Sequence, residues 1–253
     1  MSENRLRSRQ SVDAVTEVRS GLRRGAGAAP AWSTTDSSRG VFRILYVCVH
    51  NVCRSVLAER LARRYMVGRR SAFVEQFHVS SAGTQAIPGR PMHPYVGDVL
   101  RLRDADVGDF ASRRLTGRLV SESDLVLTAT TEERDRAISM APAALGMTFA
   151  MCEFARLVSL AEHGYEGLGE DAFEHERSEG FGRLDGDTAR TARSVVSAVH
   201  RIRGQAPYAP PTTDDIPDPL PTRKAFEECA DHVEASVLRG LDFIRRAIDD
   251  GHR

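Results

Sequence analysis

The chain has 253 residues, 41% hydrophobic and 28% charged, and its 35 basic residues balance 35 acidic ones. This composition supports a buried core and argues against nucleic acid or an anionic membrane as the main partner. Four cysteines (Cys48, Cys53, Cys152, Cys229) without a CxxC pair exclude a disulfide scaffold and a structural zinc site.

No apolar run approaches the ~20 residues needed to span a bilayer. The basic N-terminus has no apolar segment behind it and does not read as a secretory signal. The expectation is a cytoplasmic protein with free thiols and neither metal nor cofactor. Lys224 is the single lysine, which fits a GC-rich genome better than any function.

Residues 1–40 are rich in Arg, Ser, Gly and Ala, and read as a disordered tail. The folded part opens at Val41 with the apolar, β-branched run VFRILYVCV, a buried strand. Ser55 to Arg70 is helical, with Val56, Leu57, Leu61 and Tyr65 on one stripe. Phe77 to Ser81 is a second strand, followed by helix over His93 to Arg103. Asp124 to Thr128 is a third strand and Thr131 to Met140 a helix. Gly146 to Ala150 is a short fourth strand, and Cys152 to His163 is helical.

Strands alternating with helices predict an α/β fold: a parallel sheet with helices on both faces. His163 to Asp187 is a Gly- and acid-rich loop, and Thr188 to Arg203 returns to helix. Pro207 to Pro221 is too proline-dense to be helical. Thr222 to Ile248 is a long amphipathic helix.

The chemistry is concentrated in Cys48-Val49-His50-Asn51-Val52-Cys53-Arg54-Ser55. Cys48 ends a predicted strand and Ser55 opens a predicted helix. In that context successive backbone N–H groups converge on an anion, and the helix N-terminus adds a favourable field. The same field favours the thiolate, and Arg54 offers a planar fork for two phosphate oxygens. A thiolate splits phosphate-ester hydrolysis into two steps through a phosphocysteine. Such chemistry also needs a proton donor. Asp214, Asp215 and Asp218 all sit in the proline loop, and turn statistics alone read all three as turn residues.

VCVHNVCRSVLAER resembles the active-site loop of the low-molecular-weight protein tyrosine phosphatase family, whose pattern is VCxxNxCRSxxAE. HVSSAGT at His78 to Thr84, SRRLT at Ser112 to Thr116, DIPDP at Asp215 to Pro219 and the FEE starting at Phe226 follow in the family's order. The resemblance covers about residues 41–160 and 213–246. It implies three αβα layers around a four-stranded parallel sheet ordered 2-1-3-4. The phosphatase domain would run over 41–253, with an insertion at about 163–211.

The resemblance further implies Cys48 as nucleophile, Arg54 as phosphate clamp and Asp218 as general acid. The backbone from Val49 to Arg54 would line the phosphate, with Ser55 stabilising the sulfur. Asn51 would hold the strained turn beside Ser81. The substrate would be a phosphorylated protein, of phosphotyrosine type; oligomeric state is unread.

Departures from the pattern sharpen this. His50 replaces a common glycine, and is read as pointing outward with only its backbone in use. Leu220, Pro221 and Ile87 stand at pocket-wall positions that are aromatic in relatives. Phe110 replaces a histidine that supports the loop asparagine. Cys53 is read either as a small apolar loop residue or as the family's oxidation partner of the nucleophile.

Arsenate reductase chemistry needs two further, closely spaced cysteines, and Cys152 and Cys229 are far apart in sequence. Arginine phosphatases carry Thr where this chain has Val52. A catalytically weak phosphate-binding or regulatory module of the same fold is the reading from a different class.

Overall fold

The computed structural model describes residues 40–67, 76–163 and 188–251. The expected tail, apart from Gly40, and most of the expected Gly- and acid-rich loop lie outside the described residues. Four strands form one parallel sheet in the order β2-β1-β3-β4, as the resemblance implied. They are β1 (Phe42–Cys48), β2 (Phe77–Gly83), β3 (Leu125–Thr128) and β4 (Thr148–Ala150).

Central β1 is apolar at successive positions because both its faces are covered. Phe42, Ile44 and Tyr46 enter one core, together with Leu125, Leu127 and Phe149. Leu45 and Val47 enter the other, together with Val126 and Ala82.

The first face is covered by helices α1 (Arg54–Val67), α2 (Pro94–Arg101) and α5 (Met151–His163), and by α6 (Thr188–Arg203) and α8 (Arg223–Gly251). The opposite face takes the short α3 (Gly117–Ser121), α4 (Thr131–Met140) and a 3-10 turn over Pro142–Met147. The sequence reading missed α3, whose five residues are too few to show a period. It also began β4 too early: Gly146 belongs to the 3-10 turn, and the strand is only Thr148–Ala150.

A second correction concerns the proline loop. Pro211–Asp214 forms one helical turn, α7, with proline in its first turn. Proline's missing N–H costs nothing there, since no intrahelical partner exists for it.

Helix α6 lies at the N-terminal end of the sheet. Arg193 donates to Asp124 Oδ1 at 2.8 Å and to the Val41 carbonyl at 3.0 Å. Arg203 donates to the Thr148 carbonyl at 2.7 Å and pairs with Glu153 at 2.9 Å, its guanidinium 3.8 Å from the Phe149 ring centroid. These partners precede or open β1, β3 and β4. Cys48 lies at the other end of β1.

Candidate active site

The site forms at the carboxyl ends of the strands, the usual ligand position in open α/β sheets. β1 ends at Cys48 and α1 begins at Arg54, so the intervening loop must reverse within five residues. Asn51 makes that possible with a left-handed φ of 52°, a conformation asparagine tolerates better than most residues.

Three loop carbonyls are drawn outward. Cys48, Val49 and Val52 accept from the amides of Thr84, Gln85 and His93 at 2.9, 2.8 and 2.9 Å. With the carbonyls engaged outside, the loop's N–H groups are left for its concave side, and that of Asn51 points at Cys48 Sγ from 3.3 Å.

Gly83 makes this packing possible. A Cβ there would stand 2.6 Å from the Val49 oxygen and 2.7 Å from the Asn51 nitrogen. Both are backbone atoms that cannot step aside.

A directed hydrogen-bond chain supports the thiol. The Asn51 side-chain amide donates to Ser55 Oγ at 3.0 Å and to Ser81 Oγ at 2.9 Å. Ser81 donates in turn to the buried Glu59 carboxylate, which an Arg63 ion pair at 2.6 Å holds. Asn51 Oδ1 accepts from the Arg113 amide at 2.9 Å.

Because Ser55 Oγ accepts from Asn51, its own hydrogen is free for Cys48 Sγ, 3.0 Å away. An ionised carboxylate only accepts, so Glu59 sets the direction of the whole chain. The expected support by Asn51, Ser55 and Ser81 therefore has a buried acidic anchor that the sequence reading did not name. Its signal was available: Glu59 lies one turn after Ser55 on the buried face of α1.

Arg54 is buried and donates to the Ile216 carbonyl at 2.9 Å. Its Nε lies 2.9 Å from the Asp218 carboxylate, which is 62% exposed. The structure separates the three acids of the proline loop. Asp214 is buried and grips Arg156 through both oxygens, at 3.0 and 2.8 Å. Asp215 caps α4 by accepting from the Thr131 amide at 2.7 Å. Of the three, only Asp218 lines the cleft of about 210 Å³ beside the Cys48–Arg54 loop.

That volume is below the several hundred Å³ of a typical small-molecule pocket, and suits one side chain. Cys48, Val52, Cys53, Asp218, Pro219 and Pro221 are among the residues that line it. His50 is exposed and is also among the residues lining the cleft. The wall reading is corrected: Leu220 and Ile87 are 72% and 61% exposed, and neither lines the cleft. The aromatic wall is instead the His93–Phe226 stack, with ring centroids 4.4 Å apart. His93 starts α2 and Phe226 lies in α8, so only tertiary packing pairs them.

Cys53 and Cys229 are both buried. Interaction with Cys229, burial and neighbouring negative charge push the Cys53 thiol up. Cys152, half-buried, contacts Ser236 Oγ at 3.4 Å.

Among the described residues no cluster of His, Cys, Asp or Glu could hold a metal ion. Nor is any helix there long and apolar enough to cross a membrane.

Comparison with known proteins agrees with the geometry. The family model "Low molecular weight phosphotyrosine protein phosphatase" matches residues 43–179. A probable low molecular weight protein-tyrosine-phosphatase, EpsP of Ralstonia nicotianae, is 34% identical over 110 residues, 44% of this chain and 70% of that protein. The protein of the same kind named Etp in Escherichia coli K12 is 28% identical over 132 residues, 52% of this chain and 82% of its own.

Two solved structures share the fold. The tyrosine phosphatase AmsI of Erwinia amylovora has a TM-score of 0.50 at 20% identity, covering 80% of this chain and 92% of its own. The arginine phosphatase YwlE of Geobacillus stearothermophilus has a TM-score of 0.53 at 18% identity, covering 81% and 94%. The match to the family model ends before Asp218 and α8, so their assignment rests on the geometry described above.

Proposed function

The chain belongs to the low molecular weight phosphotyrosine protein phosphatase family, and from that premise we propose that it hydrolyses phosphotyrosine in protein substrates through a phosphocysteine on Cys48. The observation that carries this reading is the position of Cys48 Sγ, 3.0 Å from the Ser55 hydroxyl and 3.3 Å from the Asn51 amide. Both contacts stabilise a thiolate before attack and again as leaving group.

In the first step Cys48 attacks phosphorus in line with the phenolic oxygen. The loop amides from Val49 to Arg54 and the Arg54 guanidinium hold the remaining phosphate oxygens, where transition-state charge is spread. Phosphate takes Arg54 from Asp218, with which it is paired at 2.9 Å. Asp218, in its acid form, gives its proton to the departing phenoxide. In the second step Asp218 accepts a proton from the water that attacks phosphorus, and Cys48 leaves as thiolate. No cofactor is required.

The stacked His93–Phe226 pair and Val52 offer a flat, apolar surface to an aryl ring. This favours phosphotyrosine over phosphoarginine, whose guanidinium would want a polar wall. The fold itself does not discriminate, since a tyrosine and an arginine phosphatase share it. A reactive thiolate fits a reducing, cytoplasmic setting.

The test is turnover of para-nitrophenyl phosphate and of phosphotyrosine, phosphoserine and phosphoarginine peptides. Wild type should turn over the aryl and phosphotyrosine substrates, and Cys48→Ser should be silent. Asp218→Asn should lose roughly 10²–10⁴-fold in kcat, the usual worth of a positioned proton donor, while inorganic phosphate still inhibits. A wild type that binds phosphate but shows no turnover would establish a binding module instead. Preference for the phosphoarginine peptide would overturn the tyrosine reading.

A further inference from the structure

The segment that carries Asp218 is held chiefly from its N-terminal side, where three successive residues are tied down. Asp214 is buried and takes both carboxylate oxygens to Arg156, at 3.0 and 2.8 Å. Asp215 accepts from the Thr131 amide at 2.7 Å, and the Ile216 amide donates to the Ala129 carbonyl at 2.8 Å. Ile216 is itself buried, and its carbonyl accepts from Arg54 at 2.9 Å. Beyond it Pro217, Asp218, Leu220 and Pro221 are all exposed.

The Asp218 carboxyl is paired with Arg54 until phosphate takes that partner. During the reaction its place is therefore set by the backbone that carries it. That backbone is stiff. Pro217 fixes its own φ, and Pro219 confines Asp218 to extended conformations. A shift at Ile216 is passed on to Asp218, because little between them can absorb it.

Of these anchors, the Asp214–Arg156 pair is the one made by two side chains. Two charge-assisted bonds to one carboxylate fix direction as well as distance. They also raise the Arg156 guanidinium above its ordinary value. A buried carboxylate cannot drift from such a partner without leaving its charge uncompensated. The platform beneath is firm: Glu153, three residues earlier on α5, is buried and pairs with Arg134 and Arg203 at 3.1 and 2.9 Å.

We propose that Arg156 is a positioning residue for catalysis: by gripping Asp214 it sets where the Asp218 carboxyl stands when the leaving group needs a proton. The proposal rests on the reading of Asp218 as general acid. Arg156 does not line the cleft, so it acts through the loop and not on the substrate. Its effect falls on proton transfer, while the hold of the Cys48–Arg54 loop on phosphate stays intact.

The experiment uses the full-length protein and a series of aryl phosphates, from 2,4-dinitrophenyl through para-nitrophenyl to phenyl phosphate. The ratio kcat/KM reports the steps up to cleavage of the ester bond. Dinitrophenolate leaves without help, whereas phenolate needs the proton. A misplaced acid therefore shows as a penalty that grows with the basicity of the leaving group. Arg156→Met should lower kcat/KM on phenyl phosphate about 10–10²-fold, and on 2,4-dinitrophenyl phosphate less than about threefold, as a misplacement near ~1 Å would. Inhibition by inorganic phosphate should be unchanged.

Arg156→Met leaves Asp214 buried and alone. A second variant, Arg156→Met with Asp214→Leu, removes both partners and leaves no charge unpaired. It should show the same leaving-group-dependent penalty, and it decides the matter if the single variant does not fold. Added to Asp218→Asn, Arg156→Met should lower kcat/KM no further, since the acid it places is gone.

A loss equal across the series overturns the proposal, as does wild-type dependence on the leaving group in the double variant. So does a further fall when Arg156→Met is added to Asp218→Asn. An Asp218→Asn protein without any leaving-group dependence would instead remove the general-acid reading, and the proposal with it. Wild-type behaviour of the Arg156 variants beside a strong Asp218→Asn effect is the failure of this proposal alone.

Discussion

At the scale of the residue, the loop owes its shape to positions that carry no chemistry themselves. Asn51 supplies the left-handed turn and, through both ends of its amide, ties three elements together. Gly83 supplies the space. Gly83→Ala would drive a methyl group into two backbone atoms of the loop. Overpacking of this kind costs about 1–3 kcal/mol, and here the strain falls on the phosphate cradle. The variant should melt lower and bind inorganic phosphate weakly by calorimetry. Wild-type phosphate affinity in Gly83→Ala would show that the cradle does not depend on this close approach.

At the scale of the element, the sheet divides its labour between two ends. The carboxyl end carries the thiol, and the N-terminal end carries α6. Arg203 shows what α6 contributes: it covers the Phe149 ring, satisfies the carbonyl of edge strand β4 at Thr148, and shares Glu153 with Arg134. Arg203→Met keeps much of the packing stem but leaves Glu153 with one partner fewer. Loss of such charge-assisted bonds costs about 1–3 kcal/mol. A lower denaturation midpoint with unchanged kcat/KM on an aryl phosphate is the expected result. A fall in kcat/KM at full stability would instead make α6 part of the catalytic apparatus.

At the scale of the whole molecule, one histidine couples global stability to pH. Burial holds His78, on β2, below its ordinary value of 6.5, and the charges of Arg63, Arg43 and Arg113 push the same way. Above 6.5 the imidazole is neutral whether folded or unfolded and adds no pH dependence. As the pH falls through 6.5, the unfolded chain takes up a proton that the folded one resists, so stability drops. Melting temperature should therefore fall more steeply in acid for wild type than for His78→Gln. Parallel curves would remove His78 as the cause. Much of the molecule was legible in the sequence because its signals are local. Strand and helix periods follow from which faces are buried, and the strand–loop–helix order around Cys48 marks a phosphate cradle. What the sequence left open depended on contacts between distant segments. The three aspartates of the proline loop look alike as turn residues, and only Arg156, the end of α4 and Arg54 tell them apart. The aromatic wall joins His93 to Phe226 across more than a hundred residues. The sequence by itself thus determined the thiol, its cradle and the layered fold that carries them. Tertiary structure alone decided which aspartate and which aromatic wall stand beside it, because those choices rest on distance and burial, which no local pattern encodes.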